Sequence, residues 1–227
     1  MASRDHEYLR LAVDLVILTV REERLQLLLI KRGKDPFKGQ DALPGGFLRA
    51  DENVEQAAGR ELQEETQLNA TGLHLEVAGV YSAPDRDPRG RIVSVAFLAL
   101  APDLPVPTGG SDAQAARWEP VESAIGKLAF DHDRIATDAV ERARGHLEHT
   151  TLATAFLPEM FTIPELRRIY EVVWGTTVDP RNFNRKIANT EGFIEPVGQR
   201  RFQPAGRPAA LYRRGPATDL IPPMLRS

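Results

Sequence analysis

Three glutamates within five residues, Glu61, Glu64 and Glu65, follow a glycine turn at Gly45-Gly46 and a helical run that begins after Asp51-Glu52. At about 100° per residue they share one helical arc with Val54, Ala57 and Ala58, and Leu62 flanks it. Gln56, Gly59, Arg60, Gln63 and Thr66 fall on the other side. The carboxylates therefore continue a stripe that should face the interior. Like charges there repel one another and lose hydration unless a cation or protons neutralise them. All-oxygen donors favour a hard divalent ion, Mg²⁺ first and Mn²⁺ second. Helical phase alone leaves the alternative of a solvated acidic helix end.

The elements that must position this stretch read as a mixed α/β domain. Residues 11–20 are rich in β-branched side chains and predict a buried strand, with residues 25–32 as its hairpin partner. Residues 33–40 should form a loop, and Asp51 should cap the glutamate helix, which should end near Leu68. Strands are expected over 73–81, 92–100 and 117–121, and a helix over 131–144 with His132 at its exposed start. Between two of these strands, residues 85–91 alternate Arg86, Arg89 and Arg91 with Asp85 and Asp87. That loop is either a solvated turn held by internal ion pairs or a site for a diphosphate or ribose.

A different pattern follows. Phe161-Thr162-Ile163-Pro164-Glu165 carries a capping box with proline in the first turn, and Leu166, Ile169, Tyr170 and Val173 then form one apolar face. Gly175 should stop this helix, and Asp179-Pro180 should open a second one, with Phe183 and Ile187 inward. Arg181, Asn182, Asn184, Arg185, Lys186 and Asn189 stay largely outside. Two capped helices joined by a short turn fit helix-turn-helix geometry, and Arg, Lys and Asn are the residues that read phosphates and bases. Residues 193–197 and 210–213 should form a hairpin around Arg200, Arg201 and Arg207, a basic wing. The competing reading is a small packing or dimerisation domain with a solvated basic face.

Charge follows the same division. Residues 1–150 hold 18 Lys+Arg against 25 Asp+Glu, a net of −7, while residues 151–215 hold 10 against 6, a net of +4. Only the second part has the charge to meet a polyanion. The absence of cysteine excludes disulfides and thiolate chemistry and suits a reducing compartment. No apolar run approaches the roughly 20 residues of a membrane span, and the first residues lack the apolar core of a secretory signal. The expected place is the cytoplasm, without membrane contact.

Gly46, Glu52, Arg60, Glu61, Leu62, Glu64, Glu65 and Leu68 resemble, in register, the signature of the Nudix hydrolases, with Gln67 standing where that family has glycine. The resemblance implies an α/β/α sandwich. It also implies a Mg²⁺ or Mn²⁺ site made by Glu61, Glu64, Glu65 and the Gly45 carbonyl, with Arg60 orienting the glutamates. If the chain is active, Arg60, Glu61, Glu64 and Glu65 are the catalytic set. Gln67 in a left-handed helix cap would cost roughly 1 kcal/mol, which puts turnover in question.

Over roughly residues 8–215 the chain resembles the Nudix-related transcriptional regulators of NAD metabolism. The motifs are the signature, residues 85–91, 161–170 and 179–183, and Gly206-Arg207-Pro208-Ala209-Ala210-Leu211-Tyr212. That family implies a Nudix domain over 1–150 and a winged helix-turn-helix with tail over 151–227. It implies a homodimeric repressor on palindromic operators near NAD biosynthesis or salvage genes, released by ADP-ribose. Arg32, Phe37, Arg86 and Asp87 are the expected effector set. Arg181, Asn182, Asn184, Arg185, Lys186, Arg200, Arg201 and Arg207 are the expected DNA set. The alternative is an ADP-ribose pyrophosphohydrolase with an accessory C-terminal domain.

Overall fold

The structure, a computed structural model, describes residues 8–66, 73–102, 113–202 and 208–226, with the side chains of residues 65, 66 and 113–115 outside the description. The chain divides into two compact units. One comprises Met1–Leu18, Gln26–Ala99 and Pro105–Val140, and the other Thr19–Leu25, Leu100–Leu104 and Glu141–Ser227.

The first unit is built on strands β1 (Arg10–Arg21), β2 (Arg24–Arg32), β3 (Asp41–Ala42), β4 (Gly45–Phe47), β5 (His74–Tyr81), β6 (Ile92–Leu100) and β7 (Ala113–Pro120), with helices α1 (Val54–Thr66), α2 (Val121–Ala124) and α3 (His132–His149), of which residues 19–21, 24–25, 100 and 141–149 belong to the second unit. The strand order is β3-β2-β1-β6-β5, with β4 paired to β1 and β7 to β2. Val13, Leu15 and Ile17 alternate along β1 and meet Phe97 and Ala99 of β6 and Ala57, Ala58 and Leu62 of α1 in one core. The intervening Val16 and Leu18 are fully buried too, so both faces of β1 are covered.

Several boundaries differ from expectation. The cap of α1 is Asn53, not Asp51: its Oδ1 accepts from the Gln56 N–H at 2.8 Å, and Gln56 Oε1 accepts from the Asn53 N–H at 2.9 Å. This reciprocal pair satisfies two amide donors at the helix start. Helix α3 runs five residues past the expected end, to His149. Strand β7 starts earlier than expected, because Gln26 to Ile30 of β2 supply an antiparallel partner from Pro120 back to Ala116. Where α1 ends relative to Gln67 and Leu68 lies outside the described residues.

In the second unit, a 3₁₀ turn over Thr151–Phe156 precedes helices α4 (Ile163–Trp174) and α5 (Pro180–Asn189) and strands β8 (Ile194–Arg201) and β9 (Ala209–Arg214). Thr162 and Glu165 form the expected capping box, and Gly175 closes α4 in the left-handed region at φ 68°. Asp179 caps α5 by accepting from the Asn182 N–H. Tyr170 sits edge-on between Trp174 and Phe183, at 4.8 and 5.4 Å between centroids, with Phe193 also fully buried. The hairpin is longer than predicted. Strand β8 continues through Arg200 and Arg201, which pair with Ala210 and Ala209.

Candidate functional site

Gly45 is where the first site begins. Strand β4 lies against β1 with Asp14 opposite Gly45 and Val13 opposite Gly46. A side chain on Gly45 would collide with the Val13 carbonyl, and one on Gly46 would occupy the space taken by the Glu61 carboxylate. The two glycines therefore let a strand, a carboxylate and the start of a turn converge. A cavity of about 510 Å³ opens beside them, lined on this side by Gly45, Gly46, Arg60, Glu61 and Glu64.

Arg60 ties the acidic turn together. It donates to Glu52 at 2.6 and 2.9 Å, to Glu61 at 2.6 Å and to Glu64 at 3.3 Å. The Arg60 hydrogen bonds hold the Glu52 carboxyl down at about 2. Burial pushes Glu61 up from its ordinary value despite Arg60, the response of a carboxylate lacking enough positive charge. Glu64 departs from the inward phase assigned above: its side chain is 47% exposed and also meets Arg49. It reaches the cavity from the rim. The Glu65 side chain lies outside the described residues. Among the described residues no three acidic or histidine side chains converge as a metal group; Glu61 and Glu64 beside the glycine cradle supply oxygen donors of the kind a divalent cation takes.

The opposite wall is a charged network in which the expected Arg86 meets partners the sequence did not announce. Asp14, nearly buried within an apolar strand, accepts from Ser94 at 2.5 Å and from Arg86 at 3.2 Å, and faces His132 Nε2 at 3.4 Å. Arg86 also makes a paired contact with Asp131 at 2.7 and 2.9 Å. Burial opposes ionisation of Asp14, yet His132, Ser94 and Arg86 outweigh it and hold the carboxyl down at about 2. His132 is not the surface residue expected at a helix start: it is 4% exposed. Its Nδ1 accepts from the Leu43 N–H at 2.9 Å, which leaves the proton on Nε2, toward Asp14.

Arg32, Arg86 and Asp87 all line the cavity. Arg86 is committed to Asp14 and Asp131, and Asp87 accepts from Arg89 at 2.6 Å. The loop over 85–91 is thus both ion-paired internally and part of the wall. Phe37 stands behind Phe130, ring centroids 4.7 Å apart, and it is Phe130 that faces the cavity. Arg32 lies 4.6 Å and Arg89 5.2 Å from the Phe130 ring centroid. Burial lowers the proton affinity of Arg32, and the neighbouring Arg89 lowers it further, so two guanidiniums converge beside one aromatic ring. Phe37 and Phe130 both hold positive φ, 65° and 57°, a backbone cost of about 1–2 kcal/mol each that is stored at functional sites. Sequence reasoning missed Asp14, Ser94, Phe130 and His132. A lone carboxylate inside an apolar strand was the one available signal.

The second candidate surface lies on α5. Arg181, Asn182, Asn184 and Arg185 are exposed and Lys186 is half-buried, while Phe183 and Ile187 anchor the opposite side. Arg185 donates to Asn182 Oδ1 at 3.1 Å, one turn earlier. Arg200 is exposed on β8, whereas Arg201 is engaged by Glu165 at 2.6 Å and the Met160 carbonyl at 3.1 Å. Arg207 lies outside the described residues. No helix of the described residues is long and apolar enough to cross a membrane.

A mixed sheet with an acidic turn-helix, followed by two capped helices and a hairpin, defines a Nudix domain joined to a winged helix. The NUDIX domain family model matches residues 9–139, and that of the NrtR DNA-binding winged helix domain matches residues 153–214. The ADPR responsive transcriptional repressor NtrR of Acinetobacter baylyi is 35% identical over 207 residues, covering 89% of this chain and 81% of that protein. An ADP-ribose pyrophosphatase of Methanocaldococcus jannaschii is 43% identical over 136 residues, 59% of this chain and 75% of that one. Shewanella oneidensis NrtR, solved in complex with a 27mer DNA, superposes with a TM-score of 0.79 at 31% identity, covering 91% of this chain and 94% of that one. The chain belongs to the NrtR family of Nudix-related transcriptional regulators.

Proposed function

We propose that this chain represses genes of NAD biosynthesis or salvage by binding palindromic operators as a homodimer, and that ADP-ribose in the Nudix cavity releases it. The observation that carries this reading is a cavity with two converging guanidiniums, Arg32 and Arg89, in a chain that also exposes a cationic helix, α5. The pair suits a diphosphate, since planar guanidinium donors match phosphate oxygens. Residues 1–150 carry the sensing function, and residues 151–227 the DNA-binding function. Arg86 and Asp87 shape the effector wall through their ion pairs, and Phe37 does so by supporting Phe130. Arg181, Asn182, Asn184, Arg185, Lys186, Arg200 and Arg207 contact the operator. A cytoplasmic location follows from this function.

Glu61, Glu64, Glu65 and the Gly45 carbonyl would hold Mg²⁺ or Mn²⁺. The bound ion would supply charge neutralisation at the diphosphate and a more acidic water. Arg60 keeps the carboxylates converged, and Glu52 anchors Arg60. Replacing Glu64 with Gln should weaken Mg²⁺-supported ADP-ribose binding about tenfold; calorimetry showing the same Mg²⁺ dependence as the parent would remove Glu64 from the set.

Linkage sets the regulatory requirement. ADP-ribose must prefer the DNA-incompetent state, and each tenfold loss of operator affinity takes about 1.4 kcal/mol of coupling. A mobility-shift titration with micromolar ADP-ribose tests this, and an unchanged operator affinity would sink it. A second reading, ADP-ribose hydrolysis to AMP and ribose 5-phosphate, is favoured by Arg60 and Glu61 meeting at the cavity and by the likeness to a pyrophosphatase. It predicts AMP formation with Mg²⁺, assayed beside the DNA titration.

A further inference from the structure

The residues after β9 are built into the second unit rather than trailing from it. The Gly215 and Ala217 N–H groups donate to the Phe193 and Gly192 carbonyls at 2.9 Å each. A side chain at Gly215 would collide with the Gly192 carbonyl, so this junction requires glycine. Thr151 then donates through its N–H to the Thr218 carbonyl and through its hydroxyl to the Ala217 carbonyl. Farther on, the Leu220 and Met224 N–H groups donate to the His149 and Glu148 carbonyls, at 2.8 Å each. These carbonyls belong to the last turn of α3, where intrahelical donors run out.

Two side-chain anchors complete the attachment. Leu220 and Met224 are each 3% exposed. Arg226 donates to Glu148 at 2.6 Å and to Glu141 at 3.4 Å. Met224 and Leu225 line a cleft of about 310 Å³ together with Val178, Phe183, Arg185 and Lys186. Residues 224–225 and the helix whose exposed side carries the cations thus form walls of one cleft. Residues 215–226 also lie beyond the stretch matched by the winged-helix family model, which stops at 214.

We propose that residues 215–226 form a strap that fixes α5 in its DNA-reading position, with Arg226 as its latch and buried Met224 as its anchor in the cleft wall. This rests on α5 being the operator-reading helix. Arg226 is a positioning residue: its guanidinium is occupied by Glu148 and Glu141, so it acts on DNA through α5. Releasing the latch lets Met224 leave the cleft wall and α5 shift, which disturbs base-edge contacts more than phosphate contacts, because base readout depends on closer geometry.

The test uses the full chain with Arg226→Ala, Arg226→Lys and Met224→Ala, beside Arg185→Ala as the reference for α5. Operator and random-sequence affinities are measured by fluorescence anisotropy across a salt series, with thermal melting and ADP-ribose calorimetry on the same samples. Arg226→Ala and Met224→Ala should each weaken operator binding about fivefold, with random-sequence affinity within about twofold and an unchanged salt slope. Arg226→Lys should recover most of the loss, and ADP-ribose affinity should not move. Operator affinity within twofold of the parent in both alanine variants overturns the strap. So does a salt slope reduced by about 0.9 with equal weakening on random DNA, which makes Arg226 a phosphate contact. If Arg185→Ala binds operator as the parent does, the assignment of α5 as reader falls instead.

Discussion

The cavity and the α5 face both gather arginines, but they hold them in opposite ways. Around the cavity the guanidiniums are committed before any ligand arrives: Arg86 to Asp14 and Asp131, Arg60 to three glutamates, Arg89 to Asp87. On α5, Arg181 and Arg185 stand exposed, and Arg185 touches a neutral amide, that of Asn182. The difference suits the ligand proposed for each surface. A small diphosphate needs fixed geometry, and preorganised pairs provide it with little ordering cost on binding. A polyanion provides a dense field of phosphates, and solvated cations gain by releasing its counterions.

The strongest way to break this contrast is to remove a committed arginine. Arg86→Met leaves Asp14 inside the sheet without its cation. Deleting one partner of a buried pair costs about 3–5 kcal/mol, so urea unfolding should show a loss of that size and ADP-ribose binding should fail with it. A loss under about 1 kcal/mol would mean that the pair is effectively solvated and the wall is not prebuilt. Arg185→Ala tests the other surface. Operator affinity should fall by about 1–3 kcal/mol while unfolding changes by less than about 0.5 kcal/mol. A large stability loss there would make α5's cations structural, like those of the cavity.

Acidification separates the two surfaces without mutation. The Asp14 carboxyl is depressed from 3.8 to about 2. Its stabilising contribution is therefore complete above pH 3.8 and is lost as pH falls from about 4 through about 2, amounting to about 2 kcal/mol. Glu61 runs the other way. Burial raises it from its ordinary value, so the charged form opposes folding, and protonation on acidification relieves that penalty. Stability followed by chemical denaturation should hold or rise slightly as pH approaches the Glu61 value, then fall in the Asp14 window. A fall that begins above pH 5 would contradict both directions.

The same contrast explains how much of the molecule was legible in its sequence. Local devices were readable, because their partners are neighbours: the Thr162–Glu165 box, the Gly175 stop, the Asp179 cap and the Phe183–Ile187 stripe. The glutamate signature was readable for the same reason. Of the cavity's far wall only the 85–91 loop was readable. Asp14, Ser94 and His132 come from β1, β6 and α3, and only the tertiary fold brings them to Arg86. Helical phase also misjudged Glu64, since phase fixes the direction of Cβ while a long side chain and two arginines decide where the carboxylate lies. Arg200 and Arg201 were assigned to a wing tip because period-2 patterning is weak in a run of charged residues, which pairing with β9 nevertheless extends.

The finest test concerns Arg201, where the two modes meet. It belongs to the basic face by composition, yet its guanidinium is held by Glu165, the residue that closes the α4 capping box. The pair is about 40% exposed on each side, at 41% and 39%, so its contribution should be the modest one of a surface ion pair, below about 1 kcal/mol. Glu165 Oε2 continues to accept from the Thr162 N–H at 2.7 Å through a separate oxygen, so the α4 cap survives the loss of Arg201. Arg201→Ala should lower unfolding stability by less than about 1 kcal/mol and leave the salt slope of operator binding unchanged, because the cation is already spent on Glu165. A slope reduced by about 0.9 would show that Arg201 leaves Glu165 for a phosphate when DNA arrives. Arg201 would then belong with Arg185, and commitment before binding would no longer separate the two surfaces.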